Sequence, residues 1–86
     1  MFNHDLGAAL YATWNDEQRR EEIGKLVAGY RNGLPLGILC TMAETIAGNH
    51  GAAREHLAAH MTQEERRAAV DRESDSIRLI AAPLLL

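Results

Sequence analysis

The sequence predicts an all-α fold, a compact bundle of four to five short helices that we expect to form a homodimer. Apolar residues recur at spacings of three and four through most of the chain, which is the periodicity of amphipathic helices. Turn-forming and capping residues separate the periodic segments, and no segment reads as a strand with a mate. We expect one helical domain over residues 1–82, followed by an apolar C-terminal tail over residues 83–86.

The composition and net charge make some functional classes of protein less expected and exclude some kinds of site. The 86 residues carry a net charge of −3, whereas a nucleic-acid-binding module usually has a basic surplus, so nucleic acid is the less expected partner. The single cysteine, Cys40, excludes an intramolecular disulfide and a cysteine-based zinc site. The N-terminus lacks the basic and long apolar regions of a signal peptide, and no apolar run reaches the ~18 residues of a membrane span. We therefore expect a soluble, cytoplasmic protein with no membrane partner.

The first two helices are indicated by their caps and apolar stripes. Leu6, Leu10 and Trp14 recur every four residues and predict the first helix. Asn15 is placed to cap the second helix, with Gln18 three residues later as in a capping box. The stripe of the second helix is predicted to consist of Ile23, Leu26, Val27 and Tyr30.

The third helix is predicted over residues 35–47 and is apolar on almost every side. Gly33 suits the end of the preceding helix, and Pro35 suits the start of this one. Glu44 is its only charge, and Ile38 and Cys40 widen the apolar surface beyond one core face. A helix that is apolar all round must be buried all round, and a chain of this length has few elements to cover it. It is therefore either the central helix of the bundle or part of a surface that a partner covers.

Two further segments complete the bundle. The sequence AAREHLAAHM predicts a fourth, Ala-rich helix after the Gly-containing stretch at 48–51. Thr62 and Glu65 can cap a fifth segment whose apolar stripe is thin, and Ser74 could cap a separate short helix within it. Pro83 is predicted to end the last helix. The predicted core consists of Leu10, Trp14, Ile23, Leu26, Val27, Tyr30, Leu36, Leu39, Met42, Ile46, Leu57 and Met61.

Reactive side chains are few, and their pattern favours structural roles. His56 and His60 lie four apart, a spacing that can hold zinc or nickel, but REHLAAH is not the H-E-x-x-H motif. We predict two exposed histidines and no metal or cofactor. Cys40 lies in the most apolar part of the chain, where a thiol acts as a small hydrophobic group. The sequence has no serine elbow and no phosphate-binding loop, so we predict no catalytic residue and no enzyme.

A helix-turn-helix DNA-binding regulator is the alternative, and it would use residues 36–70. The segment from Met42 to Val70 loosely resembles the C-terminal DNA-binding unit of Fis-like regulators, through residues 48–49, 52–53 and Leu57, with a spacing one residue short. The helix that would enter the groove begins with two glutamates, which DNA phosphates would repel. The two arginines that follow offset this repulsion in part.

Protein binding is the interpretation that we favour. The all-round apolar helix, the thin stripe of the fifth segment and the apolar tail together exceed what one small bundle readily covers. A homodimer interface or a groove for another protein would cover the excess. We place the partner surface on the fifth segment because its stripe is too thin to be purely core. The predicted partner-binding residues are Arg66, Arg67, Val70, Ile77, Leu79 and Ile80.

A resemblance adds a family context. The stretch TWNDEQRREEIGKLVAGYRNGLPLGILCTMAETIAGNHGAAREHL resembles, in its overall character, the small all-helical accessory proteins of bacteriophages and phage satellites. The most similar kind is the satellite protein that binds a helper phage's small terminase subunit and redirects DNA packaging. The resemblance covers about half of the chain and carries no family motif. It implies a non-enzymatic regulator that acts by binding another protein, such as a phage packaging protein.

Overall fold

The computed structural model describes residues 10–86, and these residues fold into five helices without a strand. The prediction of an all-α bundle is therefore confirmed. The part of the predicted first helix around Leu6 lies outside the described residues, and residues 11–13 form a turn. The five helices are α1 (Asp16–Arg31), α2 (Leu36–Ala47), α3 (His50–His60), α4 (Gln63–Asp71) and α5 (Asp75–Leu85).

Side-chain caps fix where the helices begin. The amide N–H of Gln18 donates to Asn15 Oδ1, and the N–H of Asn15 donates to Gln18 Oε1, both at 2.9 Å, so the predicted capping box is confirmed. Thr62 caps α4 by accepting the N–H of Glu65 at 3.0 Å. Gly33 follows α1 with a φ of 116°, a conformation that a residue with a Cβ rarely adopts.

Helix α2 is the central helix of the bundle. It packs against α1, α3 and α5, and these contacts cover most of its circumference. Its buried residues are Leu36, Leu39, Cys40, Ala43, Ile46 and Ala47. One side of α2 remains uncovered, and Ile38 on that side is 49% exposed. The structure thus combines the two alternatives for this helix, a buried centre and one open apolar side.

The end of the chain differs from the prediction. The fifth segment is divided at Ser74 into α4 and α5, as one of the two alternatives had it. Pro83 does not end α5, and the expected tail over residues 83–86 is wrong, because the helix continues to Leu85. Leu84 and Leu85 are buried in the core. Burying a leucine contributes roughly 1.5–3 kcal/mol, so two of them offset the ~3 kcal/mol cost of a proline inside a helix.

The observed core contains seven of the predicted residues in buried positions: Ile23, Val27, Leu36, Leu39, Ile46, Leu57 and Met61. Three others, Trp14, Leu26 and Tyr30, pack against this core while partly buried, and Met42 is partly buried as well. Leu10 is 70% exposed, so its assignment to the core is wrong. It precedes α1 and the turn at 11–13, and no helix of the bundle covers it.

Arginine side chains hold the carboxyl ends of four helices. The last turn of a helix leaves carbonyl oxygens without intrahelical donors and carries the negative end of the helix dipole, so a guanidinium group suits both. In each case the arginine belongs to a different helix from the one it caps. The pairs and their N–O distances are Arg19 with Ala47 (2.9 Å), Arg31 with His60 (2.8 Å), Arg78 with Asp71 (2.9 Å) and Arg54 with Leu86 (2.8 Å).

Helices α1 and α3 approach closely at Gly24. A Cβ atom on Gly24 would lie 2.8 Å from Cε1 of His60, which is closer than real Cβ contacts. The ring of His60 cannot move freely, because its Nε2 lies 2.9 Å from the backbone oxygen of Arg20. Gly29 is in the same helix, but a Cβ there would meet Leu34 at an ordinary 3.8 Å.

The two glycines should therefore respond differently to alanine. Gly29→Ala should raise the free energy of unfolding by about 0.5–1 kcal/mol through helix propensity. At Gly24 the same gain is offset by a loss of about 1 kcal/mol, because His60 must shift and lose its hydrogen bond, so Gly24→Ala should leave the free energy of unfolding close to that of the wild type. Urea denaturation of the two variants measures both effects. An equal stabilisation by both substitutions would contradict the close packing at Gly24.

A second prediction concerns the loss of stability at low pH. Arg31 donates from Nε and Nη2 to the two carboxylate oxygens of Glu65, each at 2.8 Å, and these hydrogen bonds hold the pKa of Glu65 below its usual value. A carboxyl group with a lowered folded-state pKa contributes stability above its unfolded pKa of about 4.3, and this contribution is lost as the pH falls. The free energy of unfolding should fall more steeply between about pH 5 and pH 3 in the wild type than in Glu65→Gln.

The neighbouring exposed residue provides the control for the acid prediction. Glu64→Gln removes a carboxyl from the same turn of α4 and should keep the wild-type pH dependence. Urea denaturation at each pH measures all three proteins. If Glu64→Gln and Glu65→Gln flatten the profile equally, the ion pair with Arg31 is not the cause.

Candidate functional site

An apolar groove between α2 and α5 is the main candidate for a functional site. It encloses about 490 Å³, which lies within the usual range of about 300–1,000 Å³ for binding pockets. Glu73 is the charged member of its lining. The groove is lined by Pro35, Leu36, Gly37, Ile38, Thr41, Met42, Glu73, Ile77 and Ile80.

Helical spacing builds the two walls of the groove. Ile38, Thr41 and Met42 are at positions i, i+3 and i+4 of α2, so they share one side of that helix. Ile77 and Ile80 are three apart in α5 and form the opposite wall. At the base, a Cβ on Gly37 would lie 3.3 Å from Cδ1 of Ile77, so the glycine lets the two helices approach.

The polar groups in the α2 wall are satisfied within the helix. The hydroxyl of Thr41 donates to the carbonyl of Gly37 at 2.9 Å, and the hydroxyl of Thr45 donates to the carbonyl of Thr41 at 3.0 Å. A partner therefore needs no polar group to replace them. The groove offers apolar contact, with Ile38 49% and Ile80 44% exposed. Exposed apolar surface of this kind is typical of interaction sites.

A polar pocket of about 550 Å³ adjoins the groove and shares Pro35, Leu36 and Glu73 with it. Arg72 lies in this pocket, and its Nη2 donates to the hydroxyl of Tyr30 at 2.9 Å. The Arg31–Glu65 ion pair lies there as well. One end of the apolar groove is thus bordered by fixed charges, as in the polar rim of a protein interface.

The structure separates the six residues that the sequence predicted for partner binding. Ile77 and Ile80 line the groove, whereas Leu79 lies on the outer side of α5, 79% exposed. Val70 is buried in the core, so its assignment to a binding surface is wrong. It belongs to the hydrophobic core cluster, and its helix α4 packs against α5.

The two predicted arginines do not line the groove. Arg66 is partly buried, and its Nε donates to the carbonyl of Thr62 at 3.3 Å, while Arg67 is exposed. The prediction missed the α2 wall, Ile38, Thr41 and Met42. A signal for it was present, because Ile38 lies off the core face of a helix with a single charge.

The two histidines are held between α1 and α3. His56 is 1% exposed, so the prediction of an exposed side chain is wrong. Arg20 Nε donates to its Nδ1 at 3.4 Å, which assigns the ring hydrogen to Nε2, 3.2 Å from Asp16 Oδ1. Nε2 of His60 is hydrogen-bonded to the backbone carbonyl of Arg20. Within residues 10–86, no three His, Cys, Asp or Glu side chains are grouped to hold a metal ion.

The helices that would form a DNA-binding unit are α2, α3 and α4. Short turns join them, as the alternative interpretation requires. The first turn of α4 carries the exposed Glu64, and Glu65 beside it is bound to Arg31. A phosphate group at this end of α4 would meet a carboxylate. The charges of α4 therefore give the DNA-binding interpretation no support, and the apolar groove is the stronger candidate.

No family model, curated protein or solved structure matches the chain. In the described part of the chain, residues 10–86, no helix is both long and apolar enough to span a lipid bilayer. The geometry of the groove is therefore the basis on which a function can be proposed.

Cys40 allows a direct test of the buried core beside this site. Its side chain is fully buried, and burial raises the pKa of the thiol to about 11, with smaller contributions from Glu44 and Glu73. A thiol with this pKa holds little thiolate at pH 8, so it should react with a disulfide reagent at least about 100-fold more slowly than in the urea-unfolded chain. The cysteine introduced by Ser76→Cys, at an exposed position, is the fast-reacting control. Equal rates for the two folded thiols would contradict the burial of Cys40.

Proposed function

We propose that the protein is a non-enzymatic adaptor or regulator that binds another protein through the α2–α5 groove. The observation that carries the proposal is the open apolar lining of this groove. Ile38 and Ile80 each leave close to half of their surface in water. Because full burial of such a side chain contributes roughly 1.5–3 kcal/mol, covering the two exposed halves would contribute about 1 kcal/mol each.

A helix is the partner element that suits the groove. Its walls are two packed helices, and side chains of a third helix can insert between them as ridges into a groove. Such a partner would present apolar anchors at i, i+3 or i+4, and i+7. Glu73 lies in the lining, so a basic residue at the edge of the partner helix would be favoured there.

The partner class comes from the resemblance to accessory proteins of bacteriophages and phage satellites. That resemblance implies a phage packaging protein, and the small terminase subunit is the first one to test. The proposed place of action is the cytoplasm, as the sequence led us to expect. The groove supports protein docking in general, whereas the identity of the partner rests on the resemblance. The two parts of the proposal are therefore tested separately.

The groove is tested by Ile38→Asp. An aspartate at the α2 wall should weaken partner capture at least about fivefold, because the apolar contact worth about 1 kcal/mol is lost and the carboxylate that replaces it would have to give up its hydration. The buried half of Ile38 contributes about 1 kcal/mol to stability, so the thermal unfolding midpoint should fall by roughly 4–8 °C, and capture is compared at a temperature where both proteins are folded. Leu10→Asp is the matched control, since it places the same charge at an exposed apolar position outside the groove. Binding that survives Ile38→Asp would exclude the groove.

The contact itself is tested by photo-crosslinking. A photoreactive residue at Thr41, which is exposed and lines the groove, should give a crosslinked protein product. The same residue at Arg67, which is exposed but lies outside the lining, should not. Nuclease treatment and a salt series identify the alternative, because DNA binding through six or more phosphates weakens about 10³-fold between 50 and 200 mM salt. Capture that is lost with nuclease and falls this steeply with salt would overturn the proposal.

A further inference from the structure

Helix α5 carries a second apolar face that the core does not use. Its inner side buries Ala81, Leu84 and Leu85. Its outer side exposes Leu79, Pro83 and Leu86 at positions i, i+4 and i+7, which form one stripe. Leu79 is 79% and Leu86 is 53% exposed. We call these three residues the outer stripe, and it lies apart from the lining of the α2–α5 groove.

Opposite charges lie at the two ends of the outer stripe. The side chain of Asp75 is fully exposed at the N-terminal end, where Arg78 approaches it only to 3.7 Å. At the C-terminal end, Arg54 of α3 donates to the carbonyls of Pro83 and Leu86 at 2.9 and 2.8 Å. The eleven residues of α5 extend about 16 Å, so the stripe has an anionic and a cationic end about one helix length apart.

We propose that a second copy of this chain covers the outer stripe, with the two α5 helices antiparallel about a two-fold axis. In this arrangement Asp75 of each copy lies beside Arg54 of the other, so one stripe supplies both charges that the other needs. Between these charges the apolar residues pair reciprocally, so Leu79 of each copy lies opposite Pro83 of the other. Antiparallel helices also align their dipoles favourably. Because the same surface of each copy is used up in a two-fold contact, association stops at the dimer.

The dimer should be weak, and it should leave the groove open. One face of an 11-residue helix buries less than the ~800 Å² per partner of a standard interface, so we expect a dissociation constant in the micromolar range. The net charge of −3 on each chain opposes association, and the Asp75–Arg54 pairs offset this repulsion at the contact. Two grooves on one dimer would bind a multimeric partner with avidity. The dimer does not depend on the proposed function of the groove.

Sedimentation velocity of the full chain from about 5 to about 500 µM tests the proposal. The wild type should shift from the 9.5 kDa monomer to twice that mass. Leu79→Glu should weaken association at least about tenfold, because it places two like charges in an apolar contact. Leu10→Glu, at a leucine outside α5 that is 70% exposed, should associate as the wild type does. A wild type that stays monomeric throughout, or an equal loss in both variants, would overturn the proposal.

The antiparallel arrangement is tested by disulfide formation. A mixture of Asp75→Cys and Leu86→Cys proteins should form a disulfide-linked dimer under mild oxidation, whereas each protein alone should form at least about tenfold less. Cys40 does not interfere, because it is fully buried. Disulfides that form as readily within each single variant would indicate parallel helices and overturn the arrangement. Ile38→Asp in the groove should leave both measurements unchanged, which separates the dimer from partner binding.

Discussion

The burial of helix α2 is the constraint on which the rest of the structure depends. Its twelve residues contain one charge, so most of its circumference has to be covered. Helices α1, α3 and α5 cover three sides and bury Leu39, Ala43 and Ile46 between them. The side that carries Ile38 remains open because none of the helices within residues 10–86 covers it. The core and the candidate binding groove therefore have the same origin.

Hydrogen bonds from arginine side chains orient the helices that hydrophobic packing brings together. Four helices end with a carbonyl that accepts from an arginine of another helix, so each contact both satisfies a helix end and fixes the position of two helices. Arg31 goes further, because it also binds Glu65 at the start of α4. In a small bundle with few aromatic residues, these contacts orient helices whose apolar faces alone would allow several packings.

Helix α5 contributes to the stability of the core and to both proposed binding surfaces. Its inner side supplies Leu84 and Leu85 to the core, which is why the helix continues through Pro83. Ile77 and Ile80 form one wall of the groove, and Leu79 lies on the outer stripe. A helix that is apolar on three sides in a monomer is difficult to explain by the core alone. Separate sides of α5 could serve a partner helix and a second copy at the same time.

The sequence by itself determined the helical class, the capping box at Asn15 and Gln18, and the buried stripe containing Ile23 and Val27. These features depend on residues within one or two helical turns of each other, so they can be predicted from the spacing of residues in the sequence. Tertiary structure alone decided that His56 and Val70 are buried, and that Ile38 of α2 faces Ile77 and Ile80 of α5. Those outcomes join residues far apart in the chain. The helical period shows which residues share a face, but the packing of whole helices determines which face meets which.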